Sequence, residues 1–329
     1  MIKPLPHIVF AVASILTLPL YSLILLAILR GPKMTPFHTL MLSQSTEIFL
    51  GTRKTDCQLI YLSNHRHRQG VADIYSLLTY NFFSGLRVTN LFNDFFWDNQ
   101  QFIANFTFVN IYYTLYLRCI GITLISLQRY ITVCQSGTRV ERLIVGLPST
   151  VLVILHWSSA LVMVAPLMTS FDVVYDSKQT LNARVPKRSL ALANIISVVS
   201  VVVLFLACLF CYAFVIIHIL RSKSKANRAR RHEIRLSIQV AGLLVAFLLV
   251  FIYSVGQYIL NESRQITLLF EWRRFNPIVN GFLSCVQPWM CIVFNKDIRR
   301  RVIRIIGCRR VENQNSLFKS RTSAAPQPR

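Results

Sequence analysis

The sequence is poor in charge and poorest in acid. Charged residues make up 15% of the 329-residue chain, and Asp plus Glu fill only 13 positions against 36 for Lys plus Arg. A soluble domain carries about a quarter of its residues charged, so an ordinary soluble domain is excluded. The eight cysteines are scattered (57, 119, 134, 208, 211, 285, 291 and 308), and no pair has zinc spacing in a soluble loop. Cys208 and Cys211 lie inside an apolar stretch, where they read as small packing residues. Internal repeats, low-complexity segments and an extramembrane domain are all missing. Histidines and acids do not cluster at metal or acid–base spacing, which argues against an enzyme and implies no metal or cofactor.

Hydrophobicity is what the chain has in abundance, at 53% of residues. Apolar runs recur at 7–29, 102–128, 143–168, 189–220, 236–260 and 275–295, each near the 20 or so residues that a spanning helix needs. The first exceeds the apolar region of about 7–15 residues of a signal peptide and reads as a spanning helix. An interrupted run between the first and third makes seven spans. The expected fold class is all-α, a polytopic membrane protein built as a seven-helix bundle.

Orientation follows from Lys and Arg. With the N-terminus outside, inner segments hold 21 of them, seven in 221–235 and ten in the tail from Lys296, whereas outer segments hold nine. That bias places the N-terminus outside and the tail in the cytosol; the expected location is the plasma membrane, as a multi-pass chain. The sequon Asn261-Glu262-Ser263 then falls outside, a glycosylation candidate. The formal charge of +23 is explained by flanking membrane spans; no folded soluble domain remains to bind nucleic acid.

Few charges fall within spans. A charge at mid-membrane costs roughly 2.5–3.5 kcal/mol on insertion scales, so each one is a candidate functional position. Arg118 is near the middle of span three and Asp73 near the middle of span two if its interruption is ignored. They form an ion pair, or else Arg118 reaches a water-filled cavity while Asp73 binds Ser or Asn side chains. Arg129 follows Arg118 by 11 residues, three helical turns, and points to nearly the same side. It is followed by Tyr130 in "SLQRYITVC", at the cytosolic end of the span.

Seven spans in this orientation, "QRY" closing the third, His156-Trp157 in the fourth and "QPWMCIVFNKDIRRRV" closing the seventh resemble a G-protein-coupled receptor. The mid-span arginine, "LYSLILLAIL" in span one and "ADIYSLL" in span two look more specifically like the nematode serpentine chemoreceptors, class V closest and the gamma class a near relative. The resemblance covers residues 7–310 and implies a chemosensory receptor, by analogy in sensory-neuron cilia, with a heterotrimeric G protein and a small-molecule or peptide ligand as partners. It implies that Arg129 contacts span six at rest and the G protein when active, with Glu233 as its resting partner. Asp73, Ser284 and Gln287 belong to the polar middle that in many such receptors holds sodium, with Arg118 here supplying the positive charge. Pro288 would permit a kink in span seven by removing a backbone hydrogen bond. The chain departs from the pattern in three ways: Gln128 replaces the usual acid, span six lacks proline, and neither the outer end of span three nor 169–188 has a cysteine for the usual disulfide.

A ligand pocket of this kind opens outward between spans two, three, six and seven. Its candidates are Tyr80, Asn81, Asn110, Tyr113 and Thr114 from spans two and three, with Tyr253, Gln257, Asn276 and Asn280 from six and seven. Each alone also reads as a helix-bridging residue, and no acid or basic cluster among them names a ligand. On the cytosolic side, Ile298, Val302 and Ile305 share one face of "KDIRRRVIRIIGC", suiting a helix in the lipid interface, with Cys308 as a palmitoylation candidate. Residues 311–329 read as a disordered tail. A small-solute transporter is the alternative; it would show internal repeats or several broken, charged helices.

Residues 45–69, "STEIFLGTRKTDCQLIYLSNHRHRQ", interrupt span two with Arg53, Lys54, Arg66 and Arg68. Joining Gln44 to Gly70 restores a continuous span of 25 residues with Asp73 twelfth. The segment therefore reads as an insertion foreign to the working receptor, such as retained intron sequence, the alternative being a genuine loop out of helix two.

Overall fold

The computed structural model describes residues 5–29, 73–135, 137–146, 149–169, 172–221, 227–263, 265–294 and 296–306. The segment 45–69, the tail 311–329 and Cys308 lie outside them. Helices dominate because long apolar runs satisfy every backbone group internally, as lipid requires. Span one is Leu5–Leu29, span three Gln100–Cys134, span four Ser149–Met168, span five Lys187–Arg221, span six Asn227–Glu262 and span seven Asn276–Phe294. Among the described residues, five helices are long and apolar enough to cross a membrane, while the apolar part of span four is a shorter helix, Ile154–Met168. Span two is described over 73–88, a helix that passes through a π-helical turn at Asn81–Gly85. Spans three and six run past their expected ends, to Cys134 and back to Asn227; in span six the Arg-rich, Ala- and Glu-containing stretch favours helix.

Span three is the axis, packed on spans four and five; span six packs on five and seven, and span one on seven. One apolar cluster joins spans three and four to the outer loop, with Tyr116, Leu117 and Val164 fully buried. A second joins spans three, five, six and seven through Cys119, Val201, Phe247 and Leu283. In lipid, helices associate by close packing and not by expulsion of water, so small residues mark the contacts. At Gly281 a Cβ would collide with the Phe10 ring of span one, so glycine sets how closely spans one and seven approach.

The loop between spans four and five forms a hairpin, Val174–Tyr175 against Ala183–Arg184. Its anchor is Asn105 of span three, buried, whose amide clamps the backbone of residue 173. Oδ1 accepts from the Val173 N–H at 3.2 Å and Nδ2 donates to the Val173 carbonyl at 3.3 Å. Val173, Tyr175 and Leu181 are buried beside it, and the Arg87 guanidinium of span two lies 5.6 Å from the Tyr175 ring centroid. An amide clamp thus joins span three to the loop.

The helix Lys296–Ile306 follows span seven as expected, but its buried face meets protein. Ile298 and Val302 pack on Ile24 of span one, with Ile305 at the edge. Span one ends beside this helix, so its side chains cover the stripe that the sequence assigns to lipid. Ile303 and Ile306 remain exposed.

Candidate functional site

Arg118 is 2% exposed at the middle of span three, and neighbouring helices satisfy its guanidinium. Nε donates to the Thr114 carbonyl one turn earlier at 3.0 Å. Nη1 donates to the Asn280 carbonyl at 2.8 Å and to Ser284 Oγ at 2.6 Å, and Nη2 donates to Asn280 Oδ1 at 2.8 Å. Asn280 is held in turn by its Nδ2, which donates to the Asn276 carbonyl at 3.1 Å. Asn280 and Ser284 are four residues apart on one face of span seven, so a single planar guanidinium bridges both.

Asp73, also 2% exposed, receives no hydrogen bond from Arg118. Tyr21 of span one donates to its Oδ2 at 2.7 Å, with the Ser284 carbonyl 3.0 Å from the same hydroxyl. The expected ion pair is therefore replaced by a relay in which Asp73, Tyr21, Ser284 and Arg118 link four spans. The direct pair fails because span seven intervenes: Ser284 presents its hydroxyl to Arg118 and its carbonyl to Tyr21. Tyr21 was legible in principle, as an isolated tyrosine in an apolar run whose buried hydroxyl needs a partner. Gln287 is half-buried, three residues beyond Ser284.

Outward from Arg118 lies a cavity of about 210 Å³, bounded by spans three, five, six and seven and by the short helix Ile266–Arg273. Span five takes the place expected for span two. Tyr253, Gln257, Asn276 and Asn280 line it as expected; Asn194, Ser197, Ser254 and Arg273 were not anticipated. Asn194 and Ser197 hide in the long apolar run of span five, and Arg273 reads as one more outer-loop charge. A water-sized void of about 10 Å³ adjoins Arg118 and is lined by Ser76, Tyr80, Thr114 and Asn280.

Three expected pocket residues serve packing instead. Asn110 Oδ1 accepts from the Tyr75 hydroxyl at 2.9 Å, joining spans two and three. Tyr113 faces Trp157 of span four, ring centroids 6.4 Å apart, because span four and not the cavity occupies that side of span three. Asn81 Nδ2 donates to the Leu77 carbonyl at 2.7 Å within the π-helical turn. His156 Nε2 lies 2.7 Å from the Leu117 carbonyl, so this histidine docks span four beside Arg118.

At the end of span three away from that cavity, Arg129 is buried at 6% exposure. Tyr130 packs on Phe214 of span five, centroids 5.7 Å apart, and its hydroxyl accepts from Gln135 Nε2 at 3.2 Å. Pro288 is buried inside span seven, and Asn261 is half-buried at the C-terminal end of span six. The backbone of Glu233 is helical, while its side chain lies outside the described residues.

No curated protein matches the chain. Residues 67–308 match the family described as Serpentine type 7TM GPCR chemoreceptor Srv. With the apolar bundle, the polar relay at mid-span and an outer cavity above it, that match over most of the length places the chain in the Srv family of serpentine seven-transmembrane chemoreceptors.

Proposed function

We propose that the protein is a chemosensory receptor of the plasma membrane that takes a small ligand from outside and activates a heterotrimeric G protein at its cytosolic face. The observation that carries this reading is Asn280. It lines the outer cavity and also receives two hydrogen bonds from Arg118, so a ligand touching it acts on the relay joining spans one, two, three and seven. Coupling between sites needs an element that two ligands bias, and a bonded relay across four helices is such an element. Arg129 and Tyr130, with Glu233 as resting partner, are the G-protein side; Pro288 gives span seven its freedom. Asn261 is the glycosylation site on the outer side, and Cys308 the lipid anchor.

Expression in a heterologous cell with a G-protein reporter tests this. A chemical panel is expected to elicit activation that Arg129→Ala removes while surface expression persists. Solute uptake with no G-protein signal would overturn it in favour of a transporter.

In the same reading, residues 1–310 are the receptor domain, 311–329 a cytosolic tail, and 45–69 an insertion outside the working span two. One observation supports this: Asp73 is buried against Tyr21 and Ser284, so 73–88 supply only part of a span. Transcripts sequenced across the region decide it: a dominant message keeping all twenty-five codons sinks the idea.

A further inference from the structure

The segment between spans two and three, residues 89–99, carries two acids, no Lys or Arg, and three phenylalanines. Leu91 is 73% exposed, Phe92 52% and Phe95 49%. Single apolar side chains on a surface are ordinary, but three within five residues ask what covers them. The segment that presents them is built and not loose. Thr89 Oγ1 donates to the Leu86 carbonyl at 2.7 Å at the end of span two, and Asn90 turns the chain at a φ of 58°. Asparagine is among the few residues that enter this left-handed region readily. The short helix Asn93–Asp98 follows. Phe96 is buried in the cluster that includes Val173 and Leu181, and Asp94 meets Lys178 of the hairpin at 2.6 Å. One side of the segment is thus fastened to the hairpin, while the Phe95 ring stands edge-on to Phe96 with its own far side exposed.

That exposed side runs on into the wall of the bundle. The Asn99 N–H donates to the Phe95 carbonyl at 3.3 Å and the Ile103 N–H to the Asn99 carbonyl at 2.9 Å, so helical turns follow one another from the segment into span three. Phe95 and Phe102 are seven residues apart along them and lie on one side. Phe102 is 72% exposed and stacks on Phe106, centroids 5.9 Å apart; Phe106 meets Phe83 of span two at 4.9 Å. A wall of a spanning bundle with exposed rings faces lipid, and the segment continues that wall. Sixteen residues of helix separate Phe102 from Arg118 at mid-span, about 24 Å and somewhat less for a tilted helix. That exceeds the roughly 15 Å half-thickness of the hydrocarbon core and reaches the headgroup layer.

We infer that residues 89–99 are a membrane-surface anchor, with Leu91, Phe92 and Phe95 dipping from the headgroup layer toward the acyl chains beside Phe102. Leu and Phe are the residues that interfacial segments sink into this boundary. Asp94 and Asp98, both exposed, stay on the water side. With no basic residue in the segment, apolar burial supplies the attraction, so a zwitterionic lipid suffices. Through Phe96 and the Asp94–Lys178 pair, the anchor also ties the hairpin to the bilayer surface.

The test is photo-cross-linking of the full-length protein in phosphatidylcholine nanodiscs and needs no signalling readout. The photoreactive p-benzoylphenylalanine is placed in turn at Phe92, Phe95, Val203 and Gln179. Val203, exposed on span five, is the lipid-facing standard; Gln179, exposed at the hairpin tip, is the aqueous one. Mass spectrometry of the labelled peptides is expected to find phospholipid adducts at positions 92 and 95 at least about fivefold above those at 179, approaching those at 203. Either position decides the matter should the other variant not fold. Lipid adducts no more frequent than at Gln179 overturn the inference, and so do adducts that join two copies of the chain in place of lipid.

Discussion

Two of the arginines in this bundle stand in contrast, Arg118 at its middle and Arg273 at the mouth of its cavity. Arg118 makes four hydrogen bonds to spans three and seven and is sealed from solvent. Arg273 lines a cavity with part of its guanidinium buried and unbonded. The same residue type thus plays opposite parts. A buried cation whose donors are filled by the protein is architecture and resists removal; one with a buried donor left unfilled keeps an uncompensated cost. Asn280 touches both regions, so the mouth and the middle are one connected assembly.

The largest expected effect tests the architectural half. Arg118→Leu leaves the Asn280 and Ser284 acceptors and the Asp73 carboxylate uncompensated, and is expected to destabilise by about 3–5 kcal/mol. The check is thermal melting after detergent extraction; an unchanged midpoint would show that Arg118 does not hold the bundle. Tyr21→Phe should do less, about 1–3 kcal/mol, because only the bridge between Asp73 and Ser284 goes. Combining it with Asp73→Asn gives a double-mutant cycle, and strictly additive effects would break the relay. Smallest is Asn105→Ala, about 1–2 kcal/mol and local, since it frees the hairpin from span three. Hydrogen exchange should then rise across 173–184 with the middle of span three still protected; equal exchange at both places would show that the clamp does not act locally.

Much of this was written in the sequence. Seven apolar runs and the Lys/Arg bias predict the architecture because lipid leaves a chain few choices: helices must satisfy their own backbone, and uncompensated charge must stay outside. The same scarcity singled out Asp73 and Arg118. Their connection was less legible. A charge count pairs the acid with the base, but hydrogen bonding is directional and short-ranged, and the partners came from helices far away in sequence. Tyr21 and Ser284 are 263 residues apart. The amide of Asn105 was invisible as a substitute for cysteine, since nothing local marks an asparagine that clamps a loop 68 residues on.

What the sequence determined by itself is therefore the solvent of this protein, its helical class and its resemblance to chemoreceptors, all of which follow from hydrophobicity and short motifs. Only the tertiary structure decided which side of span three faces the cavity, that span five and not span two walls it, and how Arg118 is satisfied. Those depend on the angle at which each helix meets its neighbours, set by contacts such as Gly281 on Phe10 and Gly256 on Trp272. Helical periodicity tells which residues share a face; the packing of the other helices tells what that face meets.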